Sequence, residues 1–198
     1  MEFANTGVKN LHPLAQKFDI GVYFEANGHG TVLFSNRALE LIASNTPSEG
    51  STEPAGVTVR KLAAFSNLIN QAVGDAIADL LVVEAVLVSR GWTMQQWDQN
   101  YTDLPNRLAK VKVTDRTIFE TTDAERRLVS PHGLQGSVDS LVAKYSKGRS
   151  FVRPSGTEDV VRVYAEAETR QMADLLAHEV SCLVFNEAGG VGERPKLP

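Results

Sequence analysis

The chain has 198 residues, of which 42% are hydrophobic, and its formal net charge is −4. This length fits one ordinary domain or two small ones, and the hydrophobic content excludes wholesale disorder. The acidic balance argues against a nucleic-acid-binding protein, which normally carries a basic face, so no nucleic-acid partner is expected. A local cluster of arginines can still bind one small anion.

The only cysteine, Cys182, cannot form an internal disulfide bond, which favours a reducing compartment and hence a cytoplasmic protein. Its apolar surroundings at helical spacing favour packing over a reactive thiol. No N-terminal stretch has the pattern of a signal peptide, and no segment approaches the ~20 apolar residues needed to cross a bilayer. No membrane partner is therefore expected.

A glycine-rich hairpin is predicted near the N-terminus. Residues 18–24 and 31–34 are short runs of β-branched and aromatic side chains, which are typical of strands. The loop 25–30 between them contains two glycines and an Asn-Gly pair, a strong signal for a tight turn. The sequence therefore predicts a strand, a tight loop and a second strand.

Two helices are predicted after this hairpin. The stretch 44–57 is rich in Ser, Thr, Pro, Gly and Glu, which predicts a surface loop. Apolar residues recur at helical spacing over 59–91, with a break at Gly74 and Asp75. Asp75 is a candidate N-cap of the second helix, and Gly91 is a candidate stop.

The second half of the chain predicts strands and helices in alternation. Residues 92–104 are interpreted as a connector. After it, the predicted elements are a strand at 111–113, a helix over 134–145, strands at 150–152 and 159–167, and a helix over 169–187. We therefore predict an α/β unit over 1–100. A compact α+β unit with an antiparallel sheet and two helices is predicted over 101–198.

The loop between the last two predicted strands has the residues of an anion site. Arg153 offers a bidentate guanidinium, while Ser155 and Thr157 offer hydroxyl groups. Gly156 allows a backbone N–H to approach an anion closely, and Arg162 on the next strand can reach the same anion. The alternative is an ordinary β-turn, because Pro-Ser-Gly-Thr is a good turn sequence in itself. Spacing alone leaves both interpretations open.

The loop of the predicted hairpin carries groups suited to a sugar. Glu25 and Asn27 offer a carboxylate and an amide, which can bind paired hydroxyl groups. Histidine is a common proton donor and acceptor, so His29 could move a proton, and Lys9 upstream could add positive charge. The alternative is a plain hairpin turn, in which His29 is an ordinary surface or packing histidine.

A metal site is not predicted. No cluster of His, Cys or carboxylate residues has zinc-ligand spacing, and no Asp-x-Asp-x-Asp run that could hold magnesium is present. The sequence also lacks a Gly-Lys-Ser/Thr phosphate loop and a Gly-x-Ser-x-Gly elbow. No metal is therefore expected to be bound by residues of this chain.

Two segments together resemble one known family. Residues 24–31 (FEANGHGT) and 151–164 (FVRPSGTEDVVRVY) are similar to the C-terminal part of the eukaryotic phosphoacetylglucosamine mutases, a family of α-D-phosphohexomutases. The resemblance extends over essentially the whole chain and is weakest over 36–57. The related glucose and mannose mutases carry serine where Asn27 stands, so Asn27 favours the N-acetylglucosamine branch.

The resemblance implies a four-domain enzyme that interconverts N-acetylglucosamine 6-phosphate and 1-phosphate on the route to UDP-N-acetylglucosamine. The first unit would be the third domain, which has a mixed α/β sheet and is truncated here at its N-terminus, and the second unit would be the fourth. The implied roles are sugar binding for Glu25 and Asn27, catalysis for His29 and Lys9, and phosphate binding for Arg153, Ser155, Gly156, Thr157 and Arg162. Mg²⁺ is the cofactor that the resemblance implies for the full-length enzyme.

Two functional parts of that family are missing from these 198 residues. They are the phosphoserine loop and the Asp-x-Asp-x-Asp-Arg magnesium loop, which belong to the first two domains. We therefore expect the chain to be a portion of a longer enzyme, to need the missing N-terminal domains as its partner, and to be inactive alone. Two alternatives stay open: a non-catalytic sugar-phosphate-binding module, and a phosphohexomutase of different sugar specificity.

Overall fold

Residues 1–25, 28–48, 50 and 52–197 are described by the computed structural model of the chain. They form two units, Met1–Tyr101 and Thr102–Pro198, and each has hydrophobic core residues of its own. Both units combine helices with antiparallel strands, which confirms the predicted α and β character. Among these residues, no helix is long and apolar enough to cross a membrane.

A helix packed on a hairpin opens the first unit. Helix α1 (Val8–Ala15) contacts strand β1 (Ile20–Phe24), which pairs antiparallel with strand β2 (Gly30–Phe34). The two strands confirm the predicted hairpin, whereas α1 was not predicted. Gly21 is required by the packing, since a Cβ atom there would lie 2.1 Å from the carbonyl oxygen of Ala15.

Helices make up the rest of the first unit. Their bounds are α2 (Asn36–Asn45), α3 (Pro54–Leu68), α4 (Ala76–Arg90) and α5 (Met94–Asp98). Both predicted ends of α4 are confirmed. The Asp75 carboxylate accepts hydrogen bonds from the N–H groups of Ile77 and Ala78, and Gly91 follows the helix with a φ of 63°. Glycine adopts this left-handed backbone without strain.

Two predictions for the first unit are corrected. The stretch 44–57 is not all loop, because α2 extends to Asn45 and α3 begins at Pro54. Proline suits the first turn of a helix, where its missing N–H leaves no bond unmade. The connector 92–104 contains α5, whose first turn is held by a capping box between Thr93 and Gln96.

Apolar side chains stand exposed on two elements of the first unit. On β1 the outward positions Ile20, Val22 and Phe24 are exposed, and on α4 the same holds for Ile77 and Leu80. Each of these side chains leaves apolar surface in contact with water. The buried core of this unit is correspondingly small, which lowers its expected resistance to unfolding.

A three-stranded antiparallel sheet forms the centre of the second unit. Its strand order is β3 (Asn106–Lys112), β7 (Val160–Glu166) and β6 (Arg149–Pro154). One face packs against helices α6 (Leu134–Val142) and α7 (Arg170–Glu187), and the valines of that face are almost fully buried. These helices and strands confirm the predicted α+β arrangement.

A short hairpin precedes α6 and was not predicted. It consists of β4 (Glu120–Thr122) and β5 (Arg127–Ser130). Its turn holds Asp123, Ala124 and Glu125 in left-handed backbone, with φ values of 53°, 54° and 65°. Such backbone costs an L-residue roughly 1–2 kcal/mol, so contacts outside the turn have to stabilise it.

Candidate functional site

The two arginines of the predicted anion loop lie side by side. Arg153 on β6 and Arg162 on β7 are register partners in the antiparallel pair. The neighbouring pair, Val152 and Val163, is buried in the core, and side chains alternate between the faces of a strand. Both arginines therefore lie on the outer face. Lys110 of β3 is the register partner of Arg162 on its other side, so a row of three cations crosses this face.

The loop between these strands is closed by its own hydrogen bonds. The Ser155 N–H donates to the Val160 carbonyl at 2.9 Å, and the Thr157 N–H makes a long contact of 3.4 Å with the Ser155 hydroxyl oxygen. Ser155 is buried, whereas Gly156 and Thr157 are exposed at the tip. Ser155 therefore anchors the loop, while Gly156 and Thr157 at its tip are exposed to solvent.

Glycine at position 156 is not explained by packing inside the protein. A Cβ atom built on Gly156 would meet nothing within 4 Å, and its φ lies outside the left-handed region. Other residues would therefore fit this turn as well. The reason predicted from the sequence, close approach of an external anion to the backbone, stays a prediction.

Two charged side chains that the sequence analysis did not identify contact this site. The Glu125 carboxylate lies 3.1 Å from the Arg153 guanidinium, measured from Oε2 to Nη1, and both side chains are less than a third exposed. Arg116 donates from Nη2 to the Gly156 carbonyl oxygen at 3.3 Å. They lie 28 and 40 residues from their partners, so no local sequence pattern could reveal these contacts.

The loop of the β1–β2 hairpin brings two predicted site residues together. The Glu25 N–H donates to the His29 carbonyl at 2.7 Å, and the Gly28 N–H donates to the Glu25 carbonyl at 2.9 Å. The His29 Nδ1 atom lies 3.8 Å from the Glu25 carboxylate, and the imidazole is 71% exposed. Asn27, the other predicted sugar ligand, lies outside the described residues.

Helix α1 places Lys9 at the loop end of the same hairpin. Ala15 lies against Gly21, and one turn earlier the His12 ring contacts the Tyr23 hydroxyl at 3.0 Å. The helix therefore runs antiparallel to β1. Its first turn, which holds the exposed Lys9, lies where the strand leads into the loop.

An aromatic and ionic cluster lies on the outer face of the second unit's sheet, two positions along the strands from Arg153 and Arg162. Phe151 and Tyr164 are register partners, and their rings stack with centroids 4.7 Å apart. The Tyr164 hydroxyl donates to Glu166, which also pairs with Arg149 at 2.8 Å. Burial, followed by the hydrogen bond to Glu166, raises the pKa of Tyr164 to about 12. The Tyr164 hydroxyl therefore keeps its proton to a higher pH than an ordinary tyrosine.

The described residues offer anion binding and hydrogen bonding. The second unit presents two arginines and the tip of a loop, and the first unit presents a carboxylate beside an imidazole. No group of three or more His, Cys, Asp or Glu residues that could hold a metal ion occurs in the part of the chain that the structure describes. Taken separately, the arginines of the second unit can bind a phosphate group, and the carboxylate and imidazole of the first unit can bind hydroxyl groups.

Both units match known domain families. Residues 1–92 match the model of phosphoacetylglucosamine mutase AMG1, domain III. Residues 108–182 match the model of the phosphoglucomutase/phosphomannomutase C-terminal domain. The fold and these two matches define the class, which is that of the sugar-phosphate mutase domains.

Comparison with curated relatives indicates which sugar-phosphate mutases this chain is similar to. The phosphoacetylglucosamine mutase of Mus musculus is 59% identical over 191 residues, which cover 96% of this chain and 35% of that protein. Phosphoacetylglucosamine mutase 1 of Schizosaccharomyces pombe is 60% identical over 183 residues, which cover 92% of this chain and 35% of that protein. The chain therefore spans about a third of the length of the curated relatives it matches.

Solved structures agree with these matches. The N-acetylphosphoglucosamine mutase of Aspergillus fumigatus, in complex with GlcNAc-6P and magnesium, gives a TM-score of 0.83 at 55% identity, over 91% of this chain and 36% of that one. A substrate complex of N-acetylglucosamine-phosphate mutase, a member of the α-D-phosphohexomutase superfamily, gives 0.84 at 54% identity, over 91% and 33%. The chain belongs to the phosphoacetylglucosamine mutase family and corresponds to a C-terminal portion of it.

Proposed function

We propose that the chain supplies sugar- and phosphate-binding residues of a phosphoacetylglucosamine mutase, which interconverts N-acetylglucosamine 6-phosphate and 1-phosphate for UDP-N-acetylglucosamine synthesis. The observation that carries this proposal is the arginine pair, Arg153 and Arg162, at the base of an exposed loop. Family membership supports it, since Aspergillus fumigatus relatives were solved with GlcNAc-6P and with glucose 1,6-bisphosphate.

Two arginines at opposing strand positions suit a phosphate ligand. Register partners in an antiparallel pair have Cα atoms about 4.5–5.5 Å apart, so the two guanidinium groups concentrate positive charge, and the Glu125 carboxylate beside Arg153 offsets only one of the two charges. A phosphate accepts hydrogen bonds from both, and Ser155, Gly156 and Thr157 can add hydroxyl and N–H donors. These donors would contact the phosphate group and not the sugar ring, so the loop could hold a phosphate on either end of the sugar.

In the first unit, Glu25 and Asn27 are proposed to bind ring hydroxyl groups, as a carboxylate and an amide commonly do. His29 is proposed to move a proton, because its exposed imidazole lies 3.8 Å from a carboxylate that can orient the ring. Lys9, at the loop end of the hairpin, would add positive charge where negative charge develops on the reacting oxygen.

Phosphoryl transfer in this proposal needs groups outside the 198 residues. Neither a phosphoserine loop nor an Asp-x-Asp-x-Asp-Arg loop is present in this sequence. We assign both, together with Mg²⁺, to N-terminal domains such as those in the longer relatives, which would be the partner of this chain in the cytoplasm. Magnesium bound there would offset negative charge on the phosphoryl groups. The residues of this chain would bind and position the substrate.

Conversion and binding can be measured separately. Alone, the purified chain is expected to bind N-acetylglucosamine 6-phosphate without converting it, as followed by phosphorus NMR. Addition of the N-terminal domains of a relative should then produce the 1-phosphate. Binding without conversion in the mixture would favour a non-catalytic sugar-phosphate-binding module, and conversion by the chain alone would contradict the proposal.

Competition between sugars tests the substrate. N-Acetylglucosamine 6-phosphate is expected to compete more strongly than glucose 6-phosphate or glucosamine 6-phosphate, and Asn27→Ser should reduce that difference. Equal competition by the sugars without an acetyl group would instead favour a phosphohexomutase of different sugar specificity.

A further inference from the structure

Arg116 contacts the phosphate loop from a distant part of the chain. Its Nη2 atom donates to the carbonyl oxygen of Gly156 at 3.3 Å, and the residue is half-buried. The N–H group that donates to this carbonyl holds the loop backbone and is not available to bind a phosphate. None of the roles proposed above for phosphate or sugar binding uses this contact.

The backbone that carries Arg116 is fixed close to the same loop. The Val113 N–H donates to the carbonyl of Asp159 at 3.1 Å, which ties the end of β3 to the start of β7. The Asp115 carboxylate then accepts from the Thr117 N–H at 2.8 Å and caps a short 3-10 turn that begins at Arg116. Because both ends of this segment are held, Arg116 can fix its partner in a defined orientation.

Arg116 holds the carbonyl of the Gly156–Thr157 peptide, and the N–H of the same peptide points toward the loop interior. The Gly156 carbonyl and the Thr157 N–H belong to the same planar trans peptide, so they point in opposite directions. With the carbonyl held by Arg116, the N–H is directed to the other side. Its contact there with the Ser155 hydroxyl is long, at 3.4 Å. A phosphate oxygen would be a better acceptor for it.

Besides the bond from Arg116, the hydrogen bond described for this peptide is the long one from the Thr157 N–H to the Ser155 hydroxyl, so loss of Arg116 leaves the peptide weakly held. Gly156 is exposed, and no atom lies within 4 Å of a Cβ built on it. Glycine also tolerates most backbone conformations. A rotated peptide would present the carbonyl oxygen to the anion in place of the N–H, and an oxygen acceptor repels a phosphate.

We infer that Arg116 is a positioning residue of the phosphate loop, which fixes the Gly156–Thr157 peptide so that its N–H points at the bound phosphate. The inference rests on the proposed function, because it takes a phosphate group as the ligand. Arg116 acts through the loop and does not itself have to contact the phosphate.

The test compares Arg116→Ala with a matched control, Arg127→Ala. Arg127 is an arginine of the same unit that pairs with Asp139 at 2.9 Å, so its loss removes the same charge without touching the loop. Affinity for inorganic phosphate should fall about tenfold in Arg116→Ala, the effect of one charged hydrogen bond, and less than about twofold in Arg127→Ala. Arg116→Lys retains a donor and should recover most of the affinity.

A ligand-free readout separates this inference from the proposed function. The Thr157 amide resonance should shift or broaden in Arg116→Ala and stay unchanged in Arg127→Ala, because only the first change frees the peptide. An unchanged Thr157 amide, or phosphate affinity equal in the two alanine variants, would overturn the inference. Failure of the unsubstituted chain to bind phosphate would refute the proposed function, and the Thr157 signal would still decide the role of Arg116. If Arg116→Ala does not fold, Arg116→Gln and Arg116→Lys give the same comparison.

Discussion

Arg153 and Arg162 occupy opposing positions on neighbouring antiparallel strands, so two positive charges share the outer face of one sheet. The adjacent pair, Val152 and Val163, fixes this arrangement because both side chains are buried in the core. A slip of one residue would turn the valines outward and the arginines inward, which the core does not permit. The fold therefore holds the two cations together whether or not an anion is bound.

Removal of the more exposed arginine should weaken phosphate binding and leave the fold intact. In Arg162→Ala we expect the affinity for N-acetylglucosamine 6-phosphate to fall about tenfold or more, since a hydrogen bond to a charged group contributes about 1.5–3 kcal/mol. Thermal stability should stay within about 0.5 kcal/mol, as for other surface changes. Calorimetric titration and thermal unfolding measure the two effects.

Lys110→Ala is the matched control for this prediction, because Lys110 lies on the same face one strand further from the loop. Strands are about 4.8 Å apart, so its loss should reduce the affinity by less than about twofold. Equal losses in Arg162→Ala and Lys110→Ala would show that general charge, and not the arginine pair, attracts the ligand.

If Arg153 binds phosphate as proposed, Glu125 should compete with the ligand for its guanidinium. Glu125→Gln retains an oxygen acceptor for the guanidinium but removes the negative charge 3.1 Å from it. We expect the affinity for phosphate to rise about two- to fivefold, because a partly exposed ion pair contributes up to about 1 kcal/mol. Glu125→Ala removes the acceptor as well and serves as the comparison. A lower affinity in Glu125→Gln, measured by calorimetry, would show that the carboxylate charge supports phosphate binding.

Tyr164 should ionise at unusually high pH. Its pKa is raised from 10.0 to about 12, first by burial and then by the hydrogen bond to Glu166. Because the folded value lies above the unfolded one, the neutral phenol contributes stability below pH 10, and this contribution is lost as the pH rises from about 10 to about 12. The difference in phenolate absorbance between the unsubstituted chain and Tyr164→Phe isolates this group. A difference curve centred near pH 10 would contradict the assignment.

The second unit should be the more resistant to local unfolding. Its sheet and α7 bury a continuous core, whereas β1 and α4 of the first unit leave apolar side chains exposed. Hydrogen exchange of the full chain should therefore show stronger protection for amides within 107–188 than within 6–90. The opposite order would mean that exposed apolar surface is a poor guide to stability here.

Local sequence signals account for much of the fold. Alternation of apolar residues predicts β6 and β7, and the ends of α4 follow from the carboxylate of Asp75 and the left-handed backbone of Gly91. Helix α5 was missed although its signal was present, since Thr93 and Gln96 have the spacing of a capping box. Such local signals need no knowledge of tertiary structure.

The candidate site was only partly predictable, because some of its contacts join residues that are far apart in the sequence. Arg153 and Arg162 are nine positions apart across a hairpin, so strand alternation brings them together in a way that the sequence suggests. Glu125 and Arg116 reach the same loop from 28 and 40 residues away. Their contacts depend on how separate elements pack. The left-handed turn that carries Glu125 contains no glycine, the residue from which such a turn is usually predicted.

Backbone amide resonances of the full chain, recorded during titration with N-acetylglucosamine 6-phosphate, test phosphate binding by this loop most directly. We expect saturable shifts at Ser155, Gly156 and Thr157, with no such shifts from N-acetylglucosamine lacking a phosphate. Arg153→Ala should weaken the response at least about tenfold. Shifts that fall elsewhere in the chain, or a response that Arg153→Ala leaves unchanged, would contradict the assignment.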